Sequence, residues 1–160
     1  MSEFQDFIEL FPEIELPISL STDTQRLIAK TQEPLNEKWV VQYLLEEGDW
    51  LDEFSEFMPC FRIPNTLNYV GLVYWEAGLF GNAFQLVTFS KTAKIVDRFV
   101  LAGTKYEQNE LVTTVCQLRA NHTISQIQGR VDAKTAKPLP RDTDSQALLK
   151  ITEDGEVIEA

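Results

Sequence analysis

Between Cys60 and Val131, six runs rich in Val, Ile, Phe, Tyr and Thr follow one another with no room for helices between them. They cover residues 60–63, 68–75, 83–89, 94–102, 111–119 and 124–131. The segments between them (76–82, 90–93, 103–109 and 120–123) are short and polar or glycine-bearing. A parallel crossover needs roughly a dozen residues or more, so successive strands have to run antiparallel. This part of the chain predicts a β-meander, and Gly71, Gly78, Gly81, Gly103 and Gly129 predict that it is curved.

The residues before Pro59 follow a different period. Phe4, Phe7, Ile8 and Phe11 recur at i, i+3, i+4 and i+7, which predicts a helix over 2–11 with one apolar stripe. Ser2 and Gln5 have capping-box spacing, Glu3 and Asp6 suit the first turn, and Pro12 ends the helix. Residues 13–20 alternate through Ile14, Leu16, Ile18 and Leu20, and Pro17 would confine such a strand to a sheet edge. Residues 21–33 are expected to form a loop with room for a short helix. Asn36 is placed as an N-cap for a helix through Glu47, stapled by Leu35 and Val40 and stopped by Gly48. A third helix is expected over 49–57, with Trp50, Leu51, Phe54, Phe57 and Met58 opposite Asp49, Asp52, Glu53 and Glu56.

Pro138 and Pro140 mark 132–146 as a loop, and Asp154-Gly155 centres a final hairpin over 147–160. The expected fold is therefore α+β in one domain: N-terminal helices (1–58) packed on a curved antiparallel meander of about six to eight strands. Phe4, Phe7, Ile8, Phe11, Val40, Leu44, Phe54, Leu72, Leu86, Val100, Cys116 and Ile127 are the expected core.

Charge is distributed unevenly. Residues 1–60 hold 14 acidic side chains against 3 basic ones, residues 61–143 hold 6 against 10, and residues 144–160 hold 5 against 1. The overall net charge of −11 argues against a nucleic-acid partner, which needs a concentrated positive field. No apolar run approaches the length of a membrane span, and the acidic start lacks the basic region of a signal peptide, so a cytoplasmic protein is expected. Cys60 and Cys116, without CxxC spacing, read as buried thiols of a reducing compartment.

Groups able to do chemistry are sparse. His122 is the single histidine and falls in a polar turn. Two scattered cysteines and one histidine nearly exclude a zinc site of the usual four ligands, and neither a metal nor another cofactor is expected. Gly78 and Gly81 have G-x-x-G spacing without the remaining phosphate fingerprint. On a helix, Asp49, Asp52, Glu53 and Glu56 would share one side, where they could form a solvated acidic face, grip a basic protein partner or hold a hard cation such as Ca²⁺ or Mg²⁺. Tyr69, Tyr74, Trp75 and Phe84 could instead line a small-molecule pocket.

Residues 4–17, FIELFPEIELP at their end, and residues 86–104, LVTFSKTAKIVDRFVLAGT, resemble a family of small bacterial α+β proteins of Bacteroidota type. In that family a D-K-x-G-like turn joins two strands. Here Ser90-Lys91-Thr92-Ala93 departs from it, with Ala in the glycine position. The resemblance implies the meander and a bacterial origin, and no activity. The leading expectation is a non-catalytic binding protein that engages a macromolecule through its acidic N-terminal third. The alternative is a small-ligand-binding β-domain, and an enzyme is the weakest of the three.

Overall fold

A computed structural model describes residues 3–24, 33–45, 55–79, 81–132, 134–135 and 145–160. Nine strands form one antiparallel sheet that does not close: β1 Ile18–Leu20, β2 Glu56–Arg62, β3 Tyr69–Gly78, β4 Gly81–Ser90, β5 Ile95–Glu107, β6 Glu110–Leu118, β7 Thr123–Asp132, β8 Ser145–Ile151 and β9 Val157–Glu159. Strands β2 to β9 lie side by side in chain order, and β1 pairs with β6. The meander expected from the short connections is present. It has one strand more than the upper expectation because β1 joins it, and β2 begins earlier than expected.

Helix α1, Glu3–Glu9, turns its apolar stripe inward, with Phe7 and Phe11 fully buried and Ile8 nearly so. The Phe7 ring stacks on Tyr43 at 4.7 Å between centroids and meets Phe11 edge-on at 5.3 Å. Burying a side chain of this size stabilises the fold by about 1.5–3 kcal/mol. Ser2, the expected cap, lies outside the described residues. Asn36 does cap α2, its Oδ1 accepting the Lys38 N–H at 3.0 Å. That helix runs Glu37–Trp39 and continues as a wider π turn, Val40–Leu44. Leu45 is already extended, so α2 ends before the expected Glu47–Gly48 stop.

The expected third helix over 49–57 is corrected at its end. Glu56 and Phe57 belong to β2, paired with Ala77 and Glu76, and residues 49–54 lie outside the described set. A helical spacing of acids is also compatible with a strand start once Phe57, Met58, Cys60 and Phe61 find buried sites in the sheet. Pro59 is accommodated because β2 is an edge strand with an irregular register between Pro59 and Phe61.

Two apolar clusters occupy opposite faces of β3 and β4. Leu72, Tyr74, Val87 and Phe89 meet α1 and α2. Val73, Trp75, Phe84 and Leu86 meet Leu101, Cys116, Leu118, Ile124 and Leu20 inside the curl of the sheet. The uninterrupted apolar runs Leu72–Val73–Tyr74–Trp75 and Leu86–Val87 are what such two-sided burial requires.

The curl is completed by the β8–β9 turn. Gly155 is buried against Tyr69 and Thr88, and its carbonyl accepts the Thr88 hydroxyl at 2.6 Å. With φ at +93° and an added Cβ only 3.1 Å from Tyr69, no other residue fits there without strain. The Val157 N–H then donates to Asp97 Oδ2 at 2.8 Å, tying β9 to β5.

Of the expected core, Val100 and Ile127 are corrections: they are 48% and 52% exposed. Leu101 is an extra residue between the β4–β5 pairs Phe84↔Ala102 and Gln85↔Val100, and this bulge turns Leu101 inward while Val100 faces out. Ile127 pairs with Val115 on an outward face. Phe54 lies outside the described residues, and Phe4 is half-buried against Phe89 and Tyr43.

Ala93, where the resembled turn has Gly, adopts φ +65° and donates its N–H to the Ser90 carbonyl at 3.0 Å. A left-handed conformation is disfavoured by a Cβ. Ala93→Gly is therefore expected to stabilise the protein by about 0.5–1 kcal/mol, net of the entropy that glycine loses on folding. Urea melts of the two proteins would show this, and a destabilised glycine variant would contradict the strain.

Candidate ligand groove

Register across the sheet brings one row of residues together. Glu76, Ala83, Gly103, Thr114 and Gln128 are successive partners from β3 to β7. A second row nearer the hairpin ends is Gly78, Gly81, Lys105 and Val112. Direct partners project to the same side of a sheet, and four of these nine positions have a hydrogen or a methyl for a side chain. The result is a partly open groove of about 580 Å³, floored by Gly78, Gly81, Ala83 and Gly103.

The smallness of the floor has a backbone cause. A Cβ at Gly103 would lie 2.2 Å from the Asn82 carbonyl oxygen, and one at Gly81 would lie 2.6 Å from that of Thr104. Strands β4 and β5 approach so closely there that side chains are excluded. Beyond Gly103, β5 pairs with β6 towards its C-terminal end, while its earlier part, residues 95–101, leaves β6 behind. The Gln126 amide closes this parting. Its Nε2 donates to the Val100 and Leu101 carbonyls, both at 2.9 Å.

The walls mix apolar and polar groups. Phe99, Val100, Tyr106 and Val112 contribute apolar surface. Thr114 Oγ1 accepts from Gln128 Nε2 at 3.3 Å, and Thr104 shares a 2.7 Å hydroxyl contact with Thr22. Lys105 stands at the mouth with its ammonium 3.4 Å from Glu107. Asn82 Oδ1 is buried and has no hydrogen-bond partner among the described residues. Burial pushes the Glu76 carboxyl above its ordinary pKa, and the Gln85 amide bonded to it and the nearby Arg98 charge offset part of that rise. Arg98 itself donates to the Leu44 carbonyl at the end of α2.

The residues expected to form a site lie elsewhere. Tyr69, Tyr74, Trp75 and Phe84 are buried in the two clusters and do not line the groove, because strands buried on both faces use their aromatics as core. Glu56 is exposed at the start of β2 rather than on a helix, and Asp49, Asp52 and Glu53 lie outside the described residues. Glu76, Asn82 and Gln126 carry no site signal in the sequence, because residues 76–82 read as a turn and cross-strand register has no local signature.

His122 does occupy a turn, at φ +65°, and its ring is half-buried rather than free in solvent. Nδ1 lies 3.3 Å from the Tyr69 hydroxyl and Nε2 lies 3.1 Å from the Pro64 carbonyl, tying the β6–β7 turn to the β2–β3 connection. Among the described residues no group of three or more His, Cys, Asp or Glu is placed to hold a metal ion. No described helix is long and apolar enough to cross a membrane.

Cys60 and Cys116 are free and buried, and burial pushes both thiols up to about 12. Both are expected to resist a water-soluble disulfide reagent at neutral pH and to react fully once the protein is unfolded. Fast labelling of either in the native protein would overturn their assignment to the core.

A raised carboxyl pKa has a definite sign in stability. Between the ordinary value of 4.5 and the higher native value, folded Glu76 keeps a proton that the unfolded chain has lost. Its contribution is thus most favourable at low pH and is lost as pH rises through that interval. Chemical melts across mildly acidic pH should show this decline in the wild type and its absence in Glu76→Gln. Parallel curves would place Glu76 in water.

No protein-family model, no curated protein and no solved structure matches this chain.

Proposed function

We propose that this protein is a non-catalytic domain that binds a small molecule in the groove spanning β3 to β7. The observation that carries this reading is the coincidence of about 580 Å³ of partly open space with polar groups converging on it from different strands. Ligand sites are concave, mostly apolar and fixed by a few polar groups, and their volumes run from about 300 to 1,000 Å³. Phe99, Val100 and Val112 offer an apolar bed, while Glu76, Asn82 and Thr114 offer orientation.

The floor also supports the reading. A sheet surface with only hydrogen or methyl side chains at Gly78, Gly81, Ala83 and Gly103 leaves a depression shallow and wide enough for a flat ligand. The residues around it contain no nucleophile paired with a base, which favours binding over chemistry. Docking of a basic protein on the acidic N-terminal third rests on Asp49, Asp52 and Glu53, outside the described residues, so the groove is the stronger reading.

The test is a fragment screen read by amide NMR shifts. Fragments that bind here should move the signals of Gly103, Thr114 and Gln128 together. Val100→Trp places an indole over the groove from an exposed position, so the fold should persist while those fragments bind at least about tenfold more weakly. Fragments that shift other regions only, or that bind the Trp variant unchanged, would remove the groove from consideration.

A further inference from the structure

We propose that the outward face of β6 to β9 is the docking surface for a second copy of this chain, giving a weak two-fold dimer packed sheet against sheet. The inference is independent of the groove.

Register defines the face. Val115, Ile127 and Gln146 are direct partners across β6, β7 and β8, and Gln117, Ser125 and Leu148 form the next row. Lys150 pairs with Ile158 of β9. The alternating residues Cys116, Leu118, Ile124 and Ile151 are buried, so these eight point away from the core. The solvent side of an antiparallel sheet is ordinarily polar. Here Val115, Ile127, Leu148 and Ile158 are 36% to 52% exposed.

Charge selects the occupant. None of the eight is acidic and only Lys150 is charged, in a chain where 25 of 160 residues are Asp or Glu. Two copies at −11 repel one another, and the repulsion is least where acid is absent. A basic partner is drawn to acidic surface instead, so an uncharged apolar face suits another face of its own kind.

Shape points the same way. Ser19, Val115, Gln117, Ser125 and Ile127 line an uncharged depression of about 360 Å³ on this side. A two-fold axis along β7 lays β8 of one copy over β6 of the other. Leu148, level with Gln117 and Ser125, then enters the depression of the other copy, and Ile127 meets its own counterpart. An isologous contact requires such a self-match. Five adjacent strands, β1 and β6 to β9, at about 4.8 Å spacing and about five residues long make a face of roughly 20 Å by 17 Å. That is small beside the ~800 Å² per partner of a standard interface, so the dimer is weak.

The test is sedimentation of the full chain from micromolar to near-millimolar concentration, where a reversible monomer–dimer equilibrium is expected. Added salt should strengthen the dimer by screening the repulsion between copies. Ile127→Glu and Leu148→Glu change exposed side chains, so the fold should persist while association weakens at least about tenfold. Val41→Glu, equally exposed on α2, should leave it unchanged. Under mild oxidation Ile127→Cys should crosslink to itself, and Leu148→Cys should crosslink best when mixed with Gln117→Cys. A wild-type chain that stays monomeric throughout would overturn the proposal. So would a dimer that the two face variants leave intact, or one that Val41→Glu weakens as much.

Discussion

Strands β3 and β4 are enclosed from both sides, and the other elements are arranged so as to enclose them. On one face Leu72, Tyr74, Val87 and Phe89 need a cover, which α1 and the π turn of α2 supply through Phe7, Phe11, Val40 and Leu44. On the other face Val73, Trp75, Phe84 and Leu86 need a second cover, which none of the described helices provides. The sheet provides it by curling until Cys116, Leu118, Ile124 and Ile151 from β6 to β8 close over the same cluster. A flat meander would leave that face wet, so the strong curvature follows from the apolar load on two strands.

Curling a sheet this far has local consequences along β5. Its register shifts twice against β4, and residues 95–101 part from β6, which takes β1 as its neighbour instead. Parting strands expose backbone acceptors, and the Gln126 side chain satisfies two of them. At the same place the backbones of β4 and β5 come too close for a Cβ at Gly81 or Gly103. The groove is thus a by-product of curvature. Where β4 and β5 leave no room for a Cβ the side chains are smallest, and the space this leaves is lined by Glu76, Asn82 and Thr114.

Side-chain ties hold the curled form at its ends. Gly155 seats the last turn against Tyr69 and Thr88, and His122 joins Tyr69 and the Pro64 carbonyl. Tyr69 serves both contacts, which explains why an aromatic with a hydroxyl is buried at the start of β3.

The antiparallel meander and α1 were legible in the sequence because each depends on local spacing. Short connections forbid crossovers, and a stripe at i, i+3, i+4 and i+7 has one helical reading. The Asn36 cap was legible for the same reason, since a cap bonds within its own turn. Side choice within strands was not. Ile124 and Ile127 stand in one strand with opposite parity, so only one can face inward, and nothing in their own segment says which. The tertiary structure buries Ile124 fully and leaves Ile127 half-exposed. The same holds for Val100 and Leu101, where a single bulge decides the face, and for Glu76, which lines the groove only because register sets it in line with Ala83, Gly103 and Thr114. Short-range sterics and hydrogen bonding thus determined which elements form, whereas register, bulges and the closing of the curl depend on residues far apart in the chain, and these decided what the elements enclose.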